Sequence, residues 1–423
     1  MSANSSALTP TLERSSIILL ASLYCAQGLP SGLLAHSLPV LLRQHGVDLA
    51  YIGLLKLLAL PWMLKVLWAP WVDRLASRRL GHHRGWILPL QLGITSCIAL
   101  LALLEPSRLF GPQLPFLLAA LLLVNLAAAT QDIATDGLAV RLLPERWRGL
   151  GNSLQVGGYK IGMLLSGSGL LLAIDTLGWQ RSLGLIALLL ALMTLPISLF
   201  RENQRLPVRP ALAEPAGPNL LWRHYRGLLA QPGMGLWLLV LLSFKLGDAL
   251  GSPMIKPMLV DQGWSNAALG QLTLISSGAG ILGALLGGLL YARIGALRAL
   301  LLFGTLQALG IAAMTLLVTH GGQTGLVYGV ALFEQAADGM STVALFALMM
   351  RMCRPEHEGA DFTLQACVQL LLAGLVGAVS GVLGKTLGYP AVFLSAGLLG
   401  LLALPLVAYY FTKTARWPSA AAR

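Results

Sequence analysis

Runs of about 20 residues built mostly from Leu, Ala, Gly and Val recur along this chain, each long enough as a helix to cross a hydrocarbon layer of ~30 Å. Twelve are legible, at roughly 17–41, 50–71, 86–104, 114–140, 149–173, 180–200, 234–259, 267–291, 298–318, 324–350, 361–384 and 388–411. The short polar–apolar alternation of spanning strands is not seen. The fold class is therefore an all-α membrane protein with twelve transmembrane helices. With 56% hydrophobic and 11% charged residues, the composition is far from that of a water-soluble domain. The run after Arg14 is too long for a cleaved leader and is expected to remain as the first helix.

One connection is long. Residues 201–233 hold Pro207, Pro210, Pro215 and Pro218 together with five arginines. This Pro- and Arg-rich stretch reads as a linker between a six-helix bundle at 1–200 and a second at 234–423. The halves look like repeats. Pro39, Gln44, Gly46 and Gly53 recur as Pro257, Gln262, Gly263 and Gly270 at an offset of about 217–218. With both termini and the linker on one side, that side holds about 20 of the 29 Lys and Arg, against about four (Arg43, Arg108, Arg181, Lys385) on the other. That bias predicts cytoplasmic termini. The net charge of +12 is thus a topology signal and not a nucleic-acid footprint.

Polar groups inside the runs carry the functional signal. Gln131-Asp132-Ile133-Ala134-Thr135-Asp136-Gly137 and Glu334-Gln335-Ala336-Ala337-Asp338-Gly339 each place two acids four residues apart, and the second stretch follows the first by 202 residues. That spacing puts both acids on one helix face. Acids in spanning helices are costly and mark pathways or proton relays. They read as one element in two copies facing a shared cavity. Lys65 and Asp132 lie at matching depths and can pair, as a fixed tie between spans two and four or as a switch. Asp136 is left with less compensation, and a carboxylate deprived of water holds its proton more tightly, which suits proton uptake and release.

In the second half, Lys245 and Lys256 are the candidate partners of Glu334 and Asp338, and Asp248 can satisfy Lys245 locally. Lys160 and Lys245, with Lys256, would draw an anion; Lys256 can also reach toward the surface instead. Tyr24, Gln27 and Tyr159 are further candidate contacts, with ring stacking open to the tyrosines. Breakers in spans one (Gly28, Pro30, Gly32, Pro39) and seven (Gly247, Gly251, Pro253, Pro257) fit helices that line a cavity.

Asp73-Arg74 ends span two ahead of a short basic loop. This resembles the signature loop of the major facilitator superfamily, in which the acid and arginines latch neighbouring helices in one conformation. The glycines of that pattern are missing, and a positive-inside anchor is the simpler alternative. Taken with Gln27-Gly28-Leu29-Pro30, Pro61-Trp62 and the Gln131 to Gly137 stretch, the set resembles the branch holding the AmpG muropeptide permeases, and within it the RhtX/FptX siderophore permease family. The resemblance implies two pseudo-symmetric bundles working by alternating access in the bacterial inner membrane. It implies uptake of a ferric siderophore of pyochelin type, with protons as driving ion. A muropeptide permease and a drug exporter are the alternatives.

Other classes have little support. No nucleotide-binding Gly-Lys-Ser/Thr pattern and no compact catalytic constellation is visible, so an enzyme is not expected. Cys25, Cys97, Cys353 and Cys367 lack framework spacing, so neither disulfide nor metal is expected. His82-His83 reads as part of a solvated basic loop. Gly283, Gly287 and Gly288 read as a close-packing helix face. No cofactor is implied, and the chain reads as a monomer in the bilayer.

Overall fold

The computed structural model describes residues 13–47, 55–75, 80–206 and 219–414. Among these the chain is helical, and twelve segments run back and forth as one bundle. They are α1 (Arg14–Gln44), α2 (55–74), α3 (Arg84–Leu103), α4 (Leu114–Leu142), α5 (Glu145–Leu177) and α6 (Trp179–Leu199). A linker helix, Leu220–Leu229, precedes α7 (Met234–Asp261), α8 (Asn266–Ile294), α9 (Ala296–His320), α10 (Thr324–Arg351), α11 (Glu358–Leu387) and α12 (Tyr389–Thr414). Ten of the twelve are long and apolar enough to cross a membrane on composition alone. The two others, α2 and α10, are the broken helix and the carrier of Glu334 and Asp338. The end of the bundle where α1 begins and α12 finishes is called the termini face, and the opposite end the distal face.

Small residues bring helices together. A Cβ on Gly28 of α1 would lie 2.2 Å from the Tyr159 carbonyl of α5, and one on Gly162 2.2 Å from the Cys25 carbonyl. This crossing fixes the cavity-facing side of α5 against α1, as close approach in membranes requires. Gly283 meets Ala336 of α10 in the same way, and Gly288 meets Gly149 of α5, so the small-residue face of α8 contacts both halves of the chain.

The second span was expected as one helix over 50–71, and residues 50–54 lie outside the described ones. The rest is broken into Leu55–Ala59, Leu60–Leu64, Lys65–Leu67 and Ala69–Arg74, with 3-10 turns in the first and third pieces. Pro61 and Pro70 sit at the starts of the two α-helical pieces, where a missing N–H costs least. Carbonyls freed by the break find donors elsewhere. Leu58 O accepts from Asn125 Nδ2 of α4, Trp62 O from Cys367 Sγ of α11 at 3.6 Å, and Val66 O from Tyr225 Oη of the linker helix at 2.6 Å. Irregular backbone at membrane depth needs such partners.

Spans one and seven are irregular as anticipated. α1 passes through a π turn at Leu33–Ser37, and α7 has a break at Lys245 and a 3-10 turn at Ser252–Met254.

His82 and His83 are not solvated. They are 6% and 1% exposed, and His83 Nδ1 lies 2.7 Å from Glu202 Oε1. Glu202 also accepts from the backbone N–H groups of His83 (3.2 Å) and Arg84 (2.8 Å), capping the start of α3 from the chain just past α6. The expected solvated basic loop is instead tied down by an acid 119 residues away.

Candidate functional site

Both acid stretches lie within long helices whose acids turn inward. Asp132, Asp136 and Glu334 are 6%, 1% and 1% exposed. A central cavity of about 420 Å³ lies between α1, α2, α4 and α5 on one side and α7, α10 and α11 on the other. Its wall includes Tyr24, Gln27, Lys65, Asp132, Asp136, Gln155, Tyr159 and Lys160 from the first half, and Lys245, Asp248, Asp338, Thr342 and Gln369 from the second. Glu334 does not line it.

The two halves distribute their charges differently. In the first, Lys65 Nζ donates to Asp132 Oδ2, the earlier acid of its pair. Asp136, one turn on, accepts from Tyr24 Oη at 3.0 Å and Gln155 Nε2 at 3.1 Å, and no cation lies within 4.0 Å among the described residues. In the second, the later acid is paired. Lys245 Nζ donates to Asp338 Oδ1 at 2.7 Å and stands 3.9 Å from Asp248. Gln307 and Ser341 add bonds to Lys245 at 3.1 and 2.9 Å. Glu334 was expected to face Lys245 or Lys256. It accepts instead from Ser252 Oγ (3.2 Å) and Gln335 Nε2 (3.0 Å). Its helix face turns to Gly310 of α9, whose missing side chain leaves room for Glu334. Each half therefore holds one carboxylate by a lysine and one by neutral donors alone.

Two amide atoms in this region lack protein partners among the described residues, Gln27 Nε2 and Gln155 Oε1. Buried amides with spare capacity are costly unless something else satisfies them. A neutral polar solute carrying hydroxyl or amide groups is suited to do so. The sequence pointed to Gln27 but missed Gln155 and Gln307. Neither carries charge, so neither stands out from a helix composition.

The termini face is sealed between halves. Asp73 of α2 accepts from the backbone N–H groups of Gly359 (3.2 Å) and Ala360 (2.6 Å), at the start of α11. A carboxylate there meets the positive end of the helix dipole. Arg351 reaches Glu145 at 3.2 Å, Arg141 reaches Glu358 at 4.0 Å, and Ser153 Oγ donates to Ala284 O at 2.6 Å. Arg74 is partly exposed at the same face. Below the seal, His224 of the linker helix and Arg354 both bond Asp361, at 3.0 and 2.7 Å.

A twelve-helix bundle with charged groups around a cavity between its halves defines a secondary transporter of small molecules. The chain belongs to the Major Facilitator Superfamily, whose model matches residues 20–369 and again 238–423. Its AmpG-like branch is shown by a relative in Escherichia coli K12, the anhydromuropeptide permease, 32% identical over 391 residues that cover 90% of this chain and 76% of the permease. A Rickettsia conorii protein bearing the name AmpG 4 is 24% identical over 398 residues, 91% of this chain and 94% of its own. Among solved structures, a bacterial homologue of the iron transporter ferroportin, in an outward-facing state, superposes with a TM-score of 0.70 at 16% identity, covering 95% of this chain and 100% of that one. The E. coli fucose:proton symporter gives 0.64 at 13%, covering 93% and 98%. These two likenesses establish the fold alone. The chain is thus a multi-pass transporter of bacterial type.

Proposed function

We propose that the chain imports cell-wall fragments, in which sugar and peptide are joined, across the bacterial inner membrane by alternating access. The observation that carries this reading is the 32% identity to the anhydromuropeptide permease over 90% of the chain. The unpartnered Nε2 of Gln27 and Oε1 of Gln155 support it, because sugar hydroxyls and acetamido groups supply the acceptor and donor they lack. The siderophore reading keeps one support, the rings of Tyr24, Trp62 and Tyr159 along the cavity wall, suited to stacking on an aromatic chelate.

In the proposed cycle, residues 1–200 and 234–423 rock as two bundles about the cavity, with the termini face cytoplasmic. Asp136 and Glu334, the carboxylates without a lysine, carry the driving protons. Asp132–Lys65 and Asp338–Lys245 hold the cavity wall. Asp73 latches α11 while the cytoplasmic side is shut. The transporter works as a monomer.

Uptake by purified protein in liposomes, with an inward proton gradient, tests the assignment over three radiolabelled solutes. The expected result is accumulation of an anhydro-disaccharide tripeptide and not of ferric pyochelin or a lipophilic drug. Accumulation of the ferric chelate alone would restore the siderophore reading.

A further inference from the structure

A second cavity, of about 430 Å³, lies on the distal side of the first and shares Lys160 with it. Its polar lining comes from both halves of the chain and includes His36 of α1, Lys160 of α5, Lys256 of α7, Ser277 of α8 and Gln335 of α10. No acid lines it. The central cavity, by contrast, is lined by four aspartates against three lysines, two of which are tied to aspartates. Among the described residues, Lys160, His36 and Lys256 form no hydrogen bond or ion pair. Lys160 Nζ rests over Gly280 of α8, where a Cβ would come within 2.7 Å of it, so the glycine gives the ammonium its seat between the two cavities.

The backbone is shaped for this. The π turn Leu33–Ser37, which contains His36, packs on a second π turn, Leu165–Gly169, in α5. Ser37 Oγ lies within hydrogen-bonding distance of the carbonyls of Ser166 (2.7 Å) and Gly167 (2.8 Å), locking the pair. A Cβ on Gly167 would fall 3.1 Å from His36 Cβ. Such turns inside long helices recur at functional sites.

We propose that this distal cavity is a carboxylate subsite, which takes the peptide stem of the solute while its sugars occupy the central cavity. This rests on the cell-wall-fragment reading. Each cavity alone is small for such a solute, and the two joined approach the upper end of the ~300–1,000 Å³ typical of small-molecule sites. Charge sets the direction. A carboxylate gains from the charges of Lys160 and Lys256, with the His36 ring as a further hydrogen-bond donor, and is repelled by the aspartates of the other cavity.

The test measures uptake in proteoliposomes of two probes, an anhydro-disaccharide tripeptide and the same compound with its peptide carboxylates amidated. The Lys256→Gln variant and a His36→Asn, Lys256→Gln double variant are compared with the wild type. The expected result is a KM for the carboxylate probe raised about tenfold by Lys256→Gln, the loss of one charge-assisted contact, and further in the double variant. The amidated probe, transported by all three proteins with one KM, shows that the variants are folded. Equal weakening of both probes, or no change for either, overturns the subsite and leaves the transported class intact. Transport of neither probe by the wild type overturns the class and the subsite with it.

Discussion

Lys65 and Asp132 face each other with 5% and 9% of their side chains exposed, so removing one strands the other. Breaking such a pair costs about 3–5 kcal/mol, whereas replacing both partners by apolar residues is close to neutral. Lys65→Met is therefore expected to lower thermal stability in detergent sharply, and Lys65→Met with Asp132→Leu to recover most of it. A double variant no more stable than the single would show that the pair does not act as a unit. Glu202 gives a pH-dependent counterpart outside the membrane. Burial alone would raise its pKa, but the His83 ring and the backbone N–H groups of His83 and Arg84 outweigh that and bring it from 4.5 down to about 2. A depressed carboxylate stabilises the fold above its unfolded pKa, and the contribution, on the order of 3 kcal/mol, is lost as pH falls from about 4.5 through about 2. Unfolding measured from pH 7 to pH 3 should show Glu202→Gln less stable at neutrality and converging on the wild type in acid. A gap independent of pH would assign the effect to lost packing. At this scale the chain was partly legible. Depth along two helices was enough to match Lys65 with Asp132, because both counts start from charged helix ends. The partners of Glu334 and of His83 were not legible, since each depends on which face a distant element presents.

Among the elements, α2 and the start of α11 form the movable seal of the proposed cycle. Asp73 holds two N–H groups of α11 across the halves, and hydrogen bonds to a charged acceptor are worth about 1.5–3 kcal/mol each. Asp73→Ala is expected to shift the equilibrium away from the state closed at the termini face by at least about tenfold. Thiol labelling of a cysteine placed at Phe346, on the central cavity wall, reads this in inside-out vesicles, which in the proposed orientation turn the termini face outward. Labelling no faster than in the parent would leave Asp73 as an anchor without a gating role. The sequence placed Asp73 at a helix end but not the break in α2 beyond its prolines. That break depends on Asn125, Cys367 and Tyr225 reaching three carbonyls from three other elements. A stretch of apolar residues with two prolines does not announce such donors. The length and apolarity of the ten most apolar spans, in contrast, leave a bilayer-crossing helix as their one stable form.

For the whole molecule, the repeat visible in the sequence conceals an inversion. The two acids of one stretch align with the two acids of the other, yet the lysine takes the first acid in one half and the second in the other. One half thus leaves Asp136 and the other leaves Glu334 to neutral donors. In the proposed mechanism these two alternate between water on opposite sides as the bundles rock. The most direct measurement compares two modes of transport by Asp136→Asn in proteoliposomes with an anhydro-disaccharide tripeptide. Uphill accumulation under an inward proton gradient should fall at least about tenfold, while exchange of labelled for unlabelled solute, which needs no net proton movement, continues. Accumulation at the wild-type level would remove Asp136 from the coupling step and contradict the idea that the unpaired carboxylates drive the cycle.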